Sequence, residues 1–308
     1  MKTLHLRIAR FAAALGLGLT AALGQAAGLS LIDVPADAAG PPLKAAVWSP
    51  CSAPPAELVA GPFKLAGVRD CPVEGERLGL IIISHGYGGN YLGHHDTAET
   101  LADAGFVVVA LNHPDDTRAN KDRERNAAAL LSRPTDVKRL IDHMLVAWPD
   151  ASRIDPRRIG FFGFSRGGYT GLVIGGANPV FPHEAPPVLT HDPRVAAIVI
   201  ADPLSRFPTP QSLQDVKVPL QLWSSERGGD GVQPEDVAAV ARNLPVRPDV
   251  HVVRGSAHFA FLTPCPPAMM NAVPELCVDD GGFDRVAFHR EFDAQVLAFF
   301  REQLGPKP

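Results

Sequence analysis

The chain has no excess of positive charge: 29 lysines and arginines stand against 33 aspartates and glutamates, for a formal net charge of -4. That removes the basic footprint through which a protein holds nucleic acid by its phosphates. Cysteine is scarce, four residues in 308, and none is spaced Cys-x-x-Cys or set beside a histidine pair. The usual ligand spacing of a zinc site is therefore missing. The glycine-rich segment His85 to Asn90 lacks the Lys and Ser/Thr of a phosphate-binding loop and the spacing of a dinucleotide fingerprint, so it gives no reason to expect a cofactor. No internal repeat, low-complexity tract or shift in composition marks a second domain.

What is present begins with a leader. Lys2, Arg7 and Arg10 precede an apolar stretch, Phe11 to Leu23, that is too short to span a bilayer comfortably, and small residues follow at Gly24 and Ala26. This pattern predicts a signal peptide over residues 1–26 and one domain over 27–308, with no membrane span left after cleavage. An uncleaved anchor and an ordinary amphipathic helix are the alternatives. Four cysteines in the mature region suit two disulfides in an oxidising compartment, periplasmic or extracellular. Three connectivities are open, as are free thiols; Cys51 with Cys71 and Cys265 with Cys277 close short local loops and are preferred.

Apolar runs near Leu29 to Val34, Ala45 to Trp48 and Phe63 to Val68, set among proline-rich stretches, read as antiparallel edge strands. Strands and helices then alternate. Leu78 to Ser84, Phe106 to Leu111, Arg158 to Phe162, Val195 to Ala201, Val218 to Trp223 and Val250 to Val253 are short apolar runs. Helical patterns lie at about Asp96 to Ala104, Thr135 to Trp148 behind Pro134, and Glu235 to Asn243. A terminal helix carries Phe288, Phe292, Val296, Phe299 and Phe300 on one face, the spacing of core packing. Repeated βα units predict an α/β fold, a mostly parallel sheet with helices on both faces. The proline-rich segment Asn178 to Pro193 is an insertion, a cover for a site or a plain surface connection.

Ser165 sits in Gly163-Phe164-Ser165-Arg166-Gly167, between a strand and a helical segment. Two flanking glycines allow a strained strand-to-helix turn that lifts the serine hydroxyl over the end of the sheet. A serine nucleophile needs a base, a carboxylate to orient that base, and donors for an oxyanion. His258, in the loop after Val250 to Val253, is the candidate base. For the acid, Asp230 is preferred, because its glycine-rich loop can turn a carboxylate toward the histidine; Asp202, at a strand end before Pro203, is the alternative and Glu226 a third. The backbone N–H groups of Tyr87 and Arg166 are the candidate oxyanion donors. His94, His95 and Asp96 invite a metal reading, but adjacent residues rarely converge on one ion. We therefore assign no metal, and Asp96 reads as a helix cap.

With these residues assembled, the chain resembles the α/β-hydrolase superfamily over nearly all of its mature length. More narrowly it resembles exported bacterial proteins grouped as predicted dienelactone hydrolases, related to platelet-activating-factor acetylhydrolases. Ser84 to Asn90, Ile154 to Gly160, the Ser165 turn and Gly255 to Leu262 carry the resemblance. It implies Ser165 as nucleophile, His258 as base, and Tyr87 and Arg166 as oxyanion donors. Dienelactone hydrolases use cysteine where this chain has Ser165, which favours ordinary ester hydrolysis. The acetylhydrolase pattern selects Asp202 as the acid, the general superfamily pattern Asp230. The expectation is a serine carboxylic-ester hydrolase acting on a short-chain, small-molecule ester without a cofactor. A phospholipid or polyester acyl hydrolase and a non-catalytic exported binding protein on the same fold are the alternatives.

Overall fold

The computed structural model describes residues 26–116, 127–180, 189–207 and 209–305. The expected leader falls outside them except for Ala26, and so does the centre of the insertion, 181–188. Ten strands form one sheet: β1 (Ala26–Val34), β2 (Leu43–Cys51), β3 (Ala56–Ala60), β4 (Phe63–Arg69), β5 (Leu78–Ser84), β6 (Phe106–Asn112), β7 (Ile154–Phe164), β8 (Val195–Ala201), β9 (Leu220–Ser225) and β10 (Asp249–Val253). Among the described residues eight α-helices connect or flank them: α1 (His95–Asp103), α2 (Ala127–Val146), α3 (Arg166–Ile174), α4 (Pro210–Leu213), α5 (Pro234–Asn243), α6 (Pro267–Ala272), α7 (Pro274–Cys277) and α8 (Arg285–Leu304).

The strand order is β10-β9-β8-β7-β5-β6-β2-β1-β4-β3. From β10 to β6 every neighbouring pair is parallel. The parallel strands are apolar on both faces because both faces are covered. In β5, Leu80 and Ile82 enter one core with α2, α3 and α5, while Ile81 and Ile83 enter the other with α1 and α8. The phenylalanine stripe of α8 does what its spacing predicts: Phe292, Val296, Phe299 and Phe300 are buried in that second core. Among the described residues no helix is long and apolar enough to cross a membrane.

Three expectations change. The edge is not wholly antiparallel, since β1 pairs antiparallel with β2 but parallel with β4. β3, hidden among prolines in the sequence, pairs with β4. Helix α2 begins at Ala127, and Pro134 lies inside it rather than before it. An interior proline forfeits a backbone hydrogen bond. Here the turn before it carries Ala129, Leu130 and Arg133, all buried, and their packing offsets the loss. Cys51–Cys71 and Cys265–Cys277 are both paired, as preferred from loop length.

The sheet ends converge at the β7–α3 turn. A Cβ at Gly163 would collide with the backbone of Gly167, and one at Gly167 with the carbonyl of Ser84 at the end of β5. These two glycines let α3 start directly against the neighbouring strand. Gly167→Ala is expected to destabilise the protein by about 3 kcal/mol, the upper end for overpacking, because both colliding groups are backbone. Urea denaturation measures it, and an unchanged midpoint contradicts the close approach.

Candidate active site

Ser165 adopts φ 54° and ψ -112°, a left-handed conformation that a non-glycine residue enters only when its surroundings force it. The forcing contacts are backbone hydrogen bonds on both sides. Ser165 N–H donates to Ala201 O at the end of β8 (2.9 Å), and Ser165 O accepts from Tyr169 N–H (3.1 Å) and Leu204 N–H (3.0 Å). The serine is thus held over the carboxyl ends of β7 and β8, where open α/β sheets place their sites.

His258 opens a short 3-10 turn, His258–Phe261, after β10. Its backbone N–H donates to Gly228 O (2.9 Å), and its ring packs against Phe164, centroids 4.6 Å apart. Ring Nδ1–H donates to Asp202 Oδ2 (3.0 Å). Nε2 is buried without a hydrogen-bond partner. Donation from Nδ1 fixes the tautomer in which Nε2 carries the lone pair. Ser165 and His258 line one cavity of about 510 Å³ together with Gly86, Tyr87, His94, Phe259, Leu262 and Leu276.

The histidine's carboxylate is Asp202, not the preferred Asp230. Asp202 is fully buried and follows β8, which lies directly beside β7. Its Oδ1 accepts Ser225 N–H (2.7 Å) and its Oδ2 accepts Ser225 Oγ–H (2.5 Å), so the end of β9 locks the carboxylate in place. Asp230 lines the same cavity but is exposed, in a tight turn closed by the Gly229–Val232 bridge. The loop touches His258 through the Gly228 carbonyl, while the ring nitrogen Nδ1 is taken by Asp202. Glu226 accepts Gly255 N–H (2.7 Å) and is committed to the backbone. Ser225 had no sequence signal beyond its place at a strand end.

Tyr87 lines the cavity from the loop after β5, and Arg166 is the first residue of α3. Their side chains meet, with the Arg166 guanidinium 4.3 Å from the centre of the Tyr87 ring. Asp116 joins the two segments: it accepts from Arg166 (3.0 Å), from Gly88 N–H (3.4 Å) and from Arg133 (2.7 Å). Arg133, fully buried, also donates to Thr170 of α3 (3.0 Å), to Ser84 Oγ (3.1 Å) and to the His85 carbonyl. Burial disfavours charge on Asp116, but Arg133 and Arg166 outweigh it and hold the carboxyl below its usual range.

A second Ser-His-Asp string lies beneath this loop: Ser84 Oγ is 2.9 Å from His113 Nε2, and His113 Nδ1 is 2.9 Å from Asp136 Oδ2. It is hydrogen-bonded from end to end, whereas Ser165 and His258 share only the lining of one cavity. Ser84 and His113 are fully buried, Ser84 belongs to regular β5, and Arg133 occupies its oxygen. Burial and the nearby Arg133 charge hold His113 well below its ordinary pKa, and burial pushes Asp136 up to about 7. No reactant reaches Ser84, and the string braces the loop.

His94, His95 and Asp96 diverge. His94 is buried at the start of α1, edge-on to Phe162 and Phe164, and burial pulls its pKa down to about 4. His95 bonds Glu99 (3.1 Å) and Thr263 Oγ1 (3.2 Å). Asp96 lies within the first turn of α1 rather than at its cap and reaches toward His289 and Asp293 of α8.

No protein-family model matches this chain, and no curated protein matches it. Among solved structures it is similar to a ferulic acid esterase from Streptomyces cinnamoneus, with a TM-score of 0.71 and 18% sequence identity, covering 94% of this chain and 92% of that one. The likeness, with the strand order and the elbow, gives this chain the α/β-hydrolase fold.

Asp116→Ala is expected to cost about 3 kcal/mol or more, because it strips the buried Arg133 of its ionic partner. Denaturant unfolding reads the loss; a change under about 0.5 kcal/mol, the scale of a neutral surface substitution, would remove this brace from the account.

Proposed function

We propose that this protein is a serine hydrolase of carboxylic esters, with Ser165, His258 and Asp202 as its catalytic triad. The observation that carries the reading is the state of His258: Nδ1 is held by a buried carboxylate, and Nε2 is left unpartnered in a residue that lines one cavity with the strained Ser165. That is the arrangement a general base needs. The similarity to an esterase supports it at the level of fold, and the acid after β8 accords with the acetylhydrolase pattern.

In this mechanism Ser165 Oγ attacks the acyl carbonyl as His258 Nε2 takes its proton. Asp202 keeps the imidazole oriented and stabilises the imidazolium that forms. The backbone N–H groups of Tyr87 and Arg166 receive the negative charge on the carbonyl oxygen. Collapse expels the alcohol, which takes the proton from Nε2, and leaves Ser165 acylated. Water then attacks the acyl group with His258 again as base, releasing the acid and restoring the serine. Every step moves one proton through one nitrogen, and no cofactor enters.

The cavity's Tyr87, Phe259, Leu262 and Leu276 offer apolar and aromatic walls to a compact acyl group. We therefore place short-chain and small aromatic esters ahead of long acyl chains as substrates. The leader-like residues 1–26 and the two disulfides support export to the periplasm or beyond.

Ser165→Ala is expected to abolish hydrolysis of a p-nitrophenyl short-chain ester while circular dichroism stays unchanged; full activity in that variant ends the proposal. Asp202→Asn should lower kcat by about 10⁴-fold, as a wrong tautomer does, while Asp230→Asn stays within about threefold of the parent. A reversal of those two effects would restore Asp230 as the acid. Fluorophosphonate should label Ser165, and mass mapping of the adduct to Ser84 would contradict the assignment of the buried string as a brace.

A further inference from the structure

Behind the His258 turn, three side chains from two helices bring donor atoms together. Asp96 comes from the first turn of α1, and His289 and Asp293 lie one helical turn apart on the same face of α8. One atom of each lies within 4.8 Å of the others. His289 is 3% exposed and Asp293 7%, and a groove of about 530 Å³ lined by Thr100, Thr263 and Arg290 leads from the surface to all three.

The hydrogen bonding of this group is incomplete in an informative way. His289 Nε2 lies 2.9 Å from the Ala260 carbonyl, which can only accept, so Nε2 carries a proton. Its other nitrogen, Nδ1, faces the carboxylates. Nδ1 is 2.7 Å from Asp96 Oδ2, yet both atoms are buried and neither forms a hydrogen bond, because their directions do not line up. Two donors close together but not aimed at each other are what a shared ion leaves: ligands about 2.1 Å from one metal at a right angle stand roughly 3 Å apart. A histidine whose far N–H is fixed by a backbone carbonyl is the common outer support of a metal-bound imidazole.

His95 and Arg290 are the cationic side chains nearby, and His95 is engaged by Glu99 and Thr263.

We propose that Asp96, His289 and Asp293 form a divalent-cation site. One imidazole with two carboxylates suits an ion that takes nitrogen and oxygen together, Zn²⁺ or Mn²⁺, over Ca²⁺, which takes oxygen ligands. The site would clamp α1 to α8 and, through the His289–Ala260 hydrogen bond, hold the turn that carries His258. Its role is structural, and the proposal stands whether or not the protein hydrolyses esters. The three residues were out of reach of the sequence reading because only one of them belongs to the His94-His95-Asp96 run.

The test uses the full mature chain, stripped with a chelator and dialysed, and titrated separately with Zn²⁺, Mn²⁺ and Ca²⁺ by calorimetry and thermal melting. Wild type is expected to bind one equivalent of Zn²⁺ or Mn²⁺, more tightly than Ca²⁺, with Tm rising by about 5 °C at a hundredfold excess over Kd. Thr97 Oγ1–H donates to Asp293 Oδ1 (2.6 Å); Asp293→Asn, which keeps that acceptor, should weaken binding at least tenfold. His289→Gln should do the same, its amide still donating to Ala260, and it carries the comparison if the first variant does not fold. Absence of saturable one-to-one binding in wild type overturns the proposal and leaves a proton as the bridge between His289 and Asp96. So does wild-type affinity in either folded variant.

Discussion

The strained backbone at Ser165 is the constraint on which the rest of the site depends. A residue in that conformation carries an energetic cost of order 1–3 kcal/mol and persists only where neighbours leave no alternative. Here the neighbours are backbone: Ala201 at the end of β8, Leu204 beyond it, and Ser84 at the end of β5, against which Gly167 lies without room for a side chain. The ends of β5, β8 and β7 supply, in turn, the loop carrying Tyr87, Asp202 and the start of α3. The turn and the groups around it are therefore one mechanical unit.

Beneath that unit the protein substitutes polar order for apolar packing. Arg133 is fully buried, and it is tolerated because Ser84, His85, Asp116 and Thr170 all accept from it. A buried charge is a poor source of stability when compared with a well-packed hydrophobe, but its partners become interdependent. Arg133 and Asp116 set the spacing between the loop after β5 and α3, and so between Tyr87 and Arg166. On the opposite side, α1 and α8 hold the His258 turn through His289 and Thr263. The cavity is thus braced from both cores of the sheet.

Local patterns in the sequence carried much of this. The parallel strands were legible as short apolar runs, with β5 and β8 matching to the residue, because burial on both faces leaves no polar positions to interrupt them. Ser165 was legible because its glycines and flanking elements are contiguous, and His258 because it follows a strand closely. Helix α2 was read two turns short, since a proline weighs heavily in local reasoning while the burial of Leu130 and Arg133 is a tertiary fact. Arg133, Asp116, His113 and Asp136 gave no signal, being spread over a loop and a helix where charged residues are ordinarily solvated.

By itself the chain determined the βα alternation and singled out the serine and histidine that line the cavity, and it favoured the two local disulfide pairs, because each depends on residues near one another in sequence. Only the tertiary structure decided which aspartate meets the imidazole. Asp202 and Asp230 both follow strands and both have left-handed backbones, so local conformation does not separate them. Strand order does: β8 lies against β7, and Ser225 of β9 fastens the carboxylate there, whereas the loop after β9 closes on itself and leaves Asp230 exposed. Adjacency across a sheet is set by packing, and a linear pattern does not contain it.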